Sequence, residues 1–390
     1  MAKLIDITGK ALSGEWGTDD ETGDGVPVIR TTNFTNEGVV NYKDVVTRTI
    51  NKKNIEEKFL RKGDIIIEKS GGSDKFPVGR VIYFDGKENT YLFNNFTGLL
   101  RVKNQEVWYP RYIFYSLFAN YKRGGTRTFE NKTTGLHNLK IDDYIFRYEV
   151  AEIDIAEQMF ICDLLDKLYG IIKLRVQELQ LLDDFIKARF VELFGDVQRE
   201  EKYKGILLRK LCTTVSGGTP STKFPKYYEG NIPWISTVSL GPNHIDGSNA
   251  KGYITQEAIE NSATKLIPAG NILFGTRVGV GKSSLNDVDI CTNQDIVAII
   301  GIDESRFNRL FVKHVLDSYQ SYYDSIKKGA TILGITSDDL KETLIPDAPI
   351  EIQMNYVAFV DQIDKSKVKV QKSLDETQCL FDSLMQKYFG

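Results

Sequence analysis

The chain has 390 residues but only four cysteines, three histidines and ten prolines. Cys162, Cys212, Cys291 and Cys379 lie far apart with no C-x-x-C pair, which excludes a disulfide scaffold and points to unpaired thiols in a reducing cytoplasm. His137, His244 and His314 are equally scattered, so no zinc-ligand spacing exists. No run approaches the roughly 20 apolar residues of a membrane span. The opening Met-Ala-Lys-Leu-Ile-Asp has no signal-peptide core. An excess of positive charge is missing too: 50 Lys+Arg face 53 Asp+Glu, a net charge of −3. Taken over the whole chain, that balance argues against a nucleic-acid partner.

Catalytic signatures are also missing. There is no Asn-Pro-Pro-aromatic or Asp-Pro-Pro-Tyr motif of amino-methyltransferases, and no Phe-x-Gly-x-Gly for their cofactor. No H-E-x-x-H or G-x-S-x-G occurs. Gly281-Lys282-Ser283 matches the end of a phosphate-binding P-loop, but the glycine required five residues earlier is Thr276. A glycine-rich turn between two strands is the expectation there. Together these absences point to a binding protein.

What the chain does have is a repeat of half its length. Residues 154–195 align without a gap to residues 349–390, with seven of 42 pairs identical and the identities clustered at the ends. Ile155, Gln158 and Met159 match Ile350, Gln353 and Met354, and Phe194-Gly195 matches Phe389-Gly390. Steps of three and four pick out Leu165, Leu168, Ile172, Arg175, Leu179, Leu182, Ile186, Arg189 and Leu193 in the first copy. In the second they pick out Val360, Ile363, Lys367, Val370, Leu374, Thr377, Phe381, Leu384 and Tyr388. The 3.5-residue period is a coiled-coil seam. It predicts two helices of about 37 residues, roughly 55 Å each, paired most simply with one another. Arg175 and Arg189 would snorkel or meet a partner chain.

The segments before each helix repeat more faintly. Val26-Pro27-Val28-Ile29 matches Ile232-Pro233-Trp234-Ile235, and residues 62–67 match 269–274. Gly135-Leu136 and Gly334-Ile335 precede the acidic entries Asp142-Asp143 and Asp338-Asp339. The expected architecture is α+β with an internal pseudo-twofold repeat. A globular part (1–150) and a long helix (151–195) are followed by a second globular part (196–346) and a second helix (347–390).

Charge by segment reverses the whole-chain average. Residues 101–140 carry eight basic groups against Glu106 and Glu130, a local net of +6. Residues 201–230 net +4 and residues 151–200 net −5. Basic clusters suit phosphate contacts. Within the first cluster Trp108, Tyr112, Tyr115 and Phe118 are spaced as the core face of a helix. The adjoining Lys122-Arg123-Gly124-Gly125-Thr126-Arg127-Thr128 lets backbone approach a phosphate, and Lys327-Lys328-Gly329-Ala330-Thr331 stands at the equivalent place.

Ser216-Gly217-Gly218-Thr219-Pro220-Ser221, followed by Tyr228, Gly230-Asn231-Ile232-Pro233-Trp234-Ile235, resembles the DNA-specificity (S) subunit of type I restriction-modification systems. The resemblance continues through Gly270-Asn271-Ile272-Leu273, Gly279, Gly281-Lys282, Thr292-Asn293-Gln294-Asp295 and the Ile345-Pro346 entry to the last helix. The first half keeps Val26-Pro27, Gly63-Asp64 and Gln158-Met159 but lacks the Ser-Gly-Gly-Thr-Pro block. Its turn reads Lys69-Ser70-Gly71-Gly72-Ser73 where the second half has Gly-Lys.

The resemblance implies two target recognition domains and two helices pairing antiparallel as a spacer. The chain itself would be non-catalytic. Its implied partners are double-stranded DNA, two methylation subunits carrying S-adenosylmethionine, and restriction/translocase subunits. On that reading the DNA-contacting candidates of the first domain are Arg30, Thr31, Thr32, Asn33, Lys69, Ser73, Lys75, Arg123, Thr126 and Arg127. Those of the second are Lys223, Ser236, Thr237, Arg277, Lys328 and Thr331. A compact methyltransferase or nuclease with a disguised site, and a scaffold that binds methylation subunits without DNA, are the alternatives.

Overall fold

The 3–4 spacing of apolar residues produces the two longest elements of the chain, helices Ile155–Phe194 and Ile350–Phe389. Each has 40 residues, or about 60 Å at 1.5 Å per residue. The first runs unbroken through Gly170, and Gly195, at φ 79°, stops it. The computed structural model describes residues 1–133, 136–199, 202–329 and 331–390. Gly135 and Ala330, named above, lie outside the described residues.

The chain divides into two units. One comprises residues 1–177 with 371–390, the other residues 178–370. Each therefore contains one globular part, one half of the first long helix and the opposite half of the second. The two helices pair antiparallel in both units. In the first, Leu165, Leu168, Phe381, Met385 and Phe389 share one core with the Pro110–Lys122 helix, whose Tyr112, Tyr115 and Phe118 are buried as the spacing predicts, while Trp108 joins that core from just before the helix. In the second, Ile186, Phe190, Phe194, Tyr356 and Val360 join the core of the Arg309–Ser318 helix. None of the eighteen seam positions is exposed. Where the seam turns polar it is paired: Lys367 Nζ donates to Asp183 Oδ1 at 2.7 Å, and the Arg189 guanidinium meets Glu192 at 2.7 Å.

A buried glutamine joins each long helix to its domain, and the two do so identically. Gln158 Oε1 accepts the Tyr109 N–H at 2.9 Å, while its Nε2 donates to the carbonyls of Val107 and Ile153 at 2.9 Å each. Gln353 Oε1 accepts the Asn308 N–H at 2.9 Å, and its Nε2 donates to the carbonyls of Arg306 and Ala348 at 3.1 and 2.7 Å. Both side chains are fully buried. They satisfy backbone groups that water cannot reach, which explains why a glutamine stands at this place in both copies of the repeat.

The sheets repeat as well. In the first unit Leu12–Ser13, Thr97–Leu100, Ile65–Glu68 and Val81–Tyr83 lie side by side, antiparallel. In the second, Thr213–Ser216, Ile296–Ile300, Ile272–Gly275 and Ser283–Asn286 lie in the same order, with His244–Ile245 added at the edge. A second sheet in each unit holds the Pro-containing strand, Val26–Ile29 or Ile232–Ile235, parallel to Leu92–Phe93 or Ile290–Thr292. Both Pro strands bury their last two residues. Besides that edge strand, the units differ by an entire sheet. The first has a three-stranded sheet, Glu130–Thr133, Leu136–Leu139 and Ser70–Gly72. At that place the described residues of the second carry a single bridge between Lys328 and Gly334.

Candidate nucleic-acid interface

The Pro strand of each domain ends in a tight turn. In the first domain Thr31–Asn33 forms one 3-10 turn, closed because Asn33 Oδ1 accepts the Arg30 N–H at 2.9 Å and Nδ2 donates to the Asn41 carbonyl at 3.0 Å. Asn33 is thus buried in a capping role. Arg30 is half-buried, with Nη2 donating to the Asp44 carbonyl, whereas Thr32 faces solvent. The second domain has the turn Thr237–Ser239, and there Ser236 and Thr237 are buried.

The next residues come from the connection between neighbouring strands of the main sheet. Lys69 is half-buried; burial pushes its ammonium below the usual lysine range, and Nζ donates to Ser13 Oγ at 3.1 Å. Ser73 and Lys75 are exposed. Thr126 is completely buried against the backbone of Gly79, where a Cβ would come within 2.8 Å of it. Arg127 is exposed, yet its Nη2 donates to the carbonyls of Asp74 and Lys75 at 3.2 and 3.3 Å. Arg123 also bonds a carbonyl, that of Phe389 at the end of the second long helix, as a basic group at a helix C-terminus does.

Arg80 is the residue that sequence reasoning passed over. Its Nη1 donates to the Phe34 carbonyl at 3.1 Å, and its Nη2 to the Thr31 carbonyl at 2.9 Å and to Glu68 Oε1 at 3.3 Å. Glu68 is buried, and desolvation pushes its carboxyl above the usual range against the pull of Arg80. Arg80 thereby fastens the Thr31–Asn33 turn to the main sheet. The signal for it was the repeat: Val78-Gly79-Arg80 is the counterpart of Val280-Gly281-Lys282, with both glycines at positive φ, 102° and 86°. The first domain therefore does have the Gly-basic turn. It sits beyond a longer connection, residues 69–80 against 276–282. Gly281-Lys282-Ser283 is accordingly a turn between two strands.

The first domain thus gathers Arg30, Thr31 and Thr32, Lys69, Ser73, Lys75, Thr126 and Arg127 around one linked set of turns, with Arg123 apart from them at the helix end. In the second domain Arg277 and the Lys328 bridge are neighbours. Gly334, which exchanges backbone bonds with Lys328, would place a Cβ 3.0 Å from the Arg277 side chain. Arg277, Lys328 and Thr331 are exposed, and Arg277 lies 3.7 Å from Asp295. Lys223 is exposed on the loop after Gly217-Gly218. Both of those glycines pack too tightly for any side chain, and the Trp234 indole N–H donates to the Gly218 carbonyl.

The local +6 of residues 101–140 is in part structural. Arg101 makes a two-point contact with buried Asp64, both bonds 2.7 Å. Arg111 pairs with Asp166 and lies over the rings of Tyr83, Phe114 and Tyr115. Lys103 donates to the Ile5 carbonyl. These cations serve the fold, while the groups facing solvent at the linked turns include Thr32, Ser73, Lys75 and Arg127. Replacing Arg127 by alanine should loosen the Asp74–Lys75 tip and, if these turns face a duplex, weaken its binding. A drop in the salt slope of about one would mark a phosphate contact as well, since each neutralised phosphate contributes about that much. Unchanged affinity and slope would remove Arg127 from the interface.

Among the described residues no cluster of His, Cys, Asp or Glu is arranged to hold a metal, and no helix is long and apolar enough to cross a membrane.

The family profile of the type I restriction modification DNA specificity domain matches residues 2–182 and again residues 200–377. The specificity subunit of the type I restriction enzyme EcoR124I/EcoR124II of Escherichia coli is 30% identical over 223 residues, 55% of this chain and 53% of that protein. The MjaIX specificity subunit of Methanocaldococcus jannaschii is 27% identical over 173 residues, 43% and 40% of the two chains. Each alignment spans about half the length of those relatives or less. Among solved structures, the type I restriction-modification S subunit of M. genitalium superimposes with a TM-score of 0.58 at 15% identity, covering 100% of this chain and 95% of that one. A chain from work on assembly and conformational transition of the type I R-M system gives 0.59 at 16%, covering 100% and 96%. At these identities the two structures speak to the fold.

Proposed function

Because the chain belongs to the type I restriction modification DNA specificity domain family, we propose that it is a non-catalytic, cytoplasmic specificity subunit reading a bipartite duplex target. Each domain takes one half-site. Two methylation subunits, which hold S-adenosylmethionine, and the restriction subunits assemble on this chain. The observation that carries the reading is the duplication: one recognition frame appears twice, each copy fastened to a long helix by the same buried glutamine. Two similar but unequal domains suit a target with two different halves. Turn backbones and exposed cations would set the register on phosphates, and side chains at the turn tips would meet base edges.

The test is to purify this chain alone, its methylation partner alone, and the two together, and to select from duplexes with paired random half-sites at several salt concentrations. The expected result is strong selection only by the complex, with radiolabelled S-adenosylmethionine crosslinking to the partner. Label on this chain would support the enzyme alternative. A complex that forms but never retards DNA would support the scaffold alternative.

A further inference from the structure

Large apolar side chains stand exposed at corresponding places on the two domains, each next to a cation. In the first domain the connection 69–80 carries Lys75 and Phe76, the ring 57% exposed. In the second the connection 276–282 carries Arg277 and Val278, the latter 49% exposed. Each connection joins neighbouring antiparallel strands of its own domain's main sheet.

The tip that bears Phe76 is held from several sides. The Ser73 N–H donates to the Phe76 carbonyl at 2.7 Å and the Phe76 N–H to Ser73 Oγ at 3.2 Å. Arg127 bonds the carbonyls of Asp74 and Lys75. Just beyond, the Val78 N–H donates to Glu130 Oε1 at 3.0 Å, and the other Glu130 oxygen meets His137 Nδ1 at 3.1 Å. This bracing uses the three-stranded sheet found only in the first domain among the described residues. Folding gains little from a phenylalanine left in water, so a rigid support for one is preorganisation for something that covers it.

The neighbouring cation identifies the occupant. Lys75 Nζ lies 5.3 Å from the centre of the Phe76 ring, and a cation beside an apolar group suits a surface that alternates phosphate with base edge. In the major groove the one apolar group on any base edge is the 5-methyl of thymine. We propose that Phe76 reads a thymine methyl in the half-site of the first domain, with Lys75 on a nearby phosphate, and that Val278 and Arg277 do the same for the second. This assignment rests on the specificity-subunit reading above.

The experiment uses the complex with its methylation subunits and the target that the complex methylates. Each thymine of the first-domain half-site is replaced in turn by deoxyuridine, which removes only the methyl group, and binding is measured for the native complex, Phe76→Ala and Phe76→Leu. One deoxyuridine substitution should weaken the native complex roughly fourfold, the worth of one buried methyl. Phe76→Ala should bind the thymine and deoxyuridine duplexes equally, Phe76→Leu should keep the discrimination, and the second half-site should respond to neither variant. A native complex indifferent to every deoxyuridine, a first half-site without thymine, or an alanine variant that still discriminates would overturn the assignment while leaving the specificity reading intact. A complex that binds all sequences alike would overturn both.

Discussion

Removing one heptad from each long helix should shift the target and abolish methylation of the original one. Leu174–Gln180 and Val370–Glu376 are suitable windows, since neither contributes to the two large domain cores and a seven-residue deletion preserves the 3–4 seam. The loss is about 10 Å of helix at 1.5 Å per residue, equal to about three base pairs at 3.4 Å per step. The shortened complex is therefore expected to prefer half-sites about three base pairs closer together. Selection from duplexes that vary only in spacer length reads this out. A spacer preference unchanged by the paired deletion would show that helix length does not set the target.

Gln353→Leu is expected to be the most damaging single substitution of similar volume. Leucine leaves the Asn308 N–H and the Arg306 and Ala348 carbonyls without their partner. Each buried polar group left unpaired costs about 1–3 kcal/mol, so the total is roughly 3 kcal/mol or more. Gln158→Leu should cost a similar amount in the first unit, since it breaks the same three bonds there. Denaturant midpoints check the size, and hydrogen exchange at the Asn308 amide checks the cause. A loss below about 0.5 kcal/mol in either would mean that water or a shifted backbone replaces the glutamine.

These two predictions draw on what sequence patterns convey well. A 3.5-residue period over forty positions has one good solution, and Leu165 through Leu193 were placed by it. The Pro strands and the strands Ile65–Glu68 and Ile272–Gly275 were legible because buried strands leave short apolar runs beside glycine turns, whereas the strands that pair with the Pro strands left no such mark. Charge conveyed less. Arg101, Arg111 and Arg123 counted toward a basic cluster, yet their guanidinium groups are taken up by Asp64, Asp166 and the Phe389 carbonyl. A sum over a segment does not say which cations already have partners. Asn33, Ser236, Thr237 and Thr126 are buried for a related reason. The residue types that touch bases are the ones that cap turns, because both tasks use a short polar side chain. Arg80 was hidden by length: five extra residues before Gly79 displaced it from alignment with Lys282.

The central claim is that two copies of one frame read two half-sites. Its most direct measurement is single-molecule sequencing of adenine methylation in cells expressing this chain with its methylation partner, repeated with substitutions at Lys75 and Phe76, and separately at Arg277 and Val278. The account predicts a bipartite motif with a fixed gap, in which the first pair of changes alters one half and the second pair only the other. A single continuous motif, or one altered in the same way by both sets, would contradict it.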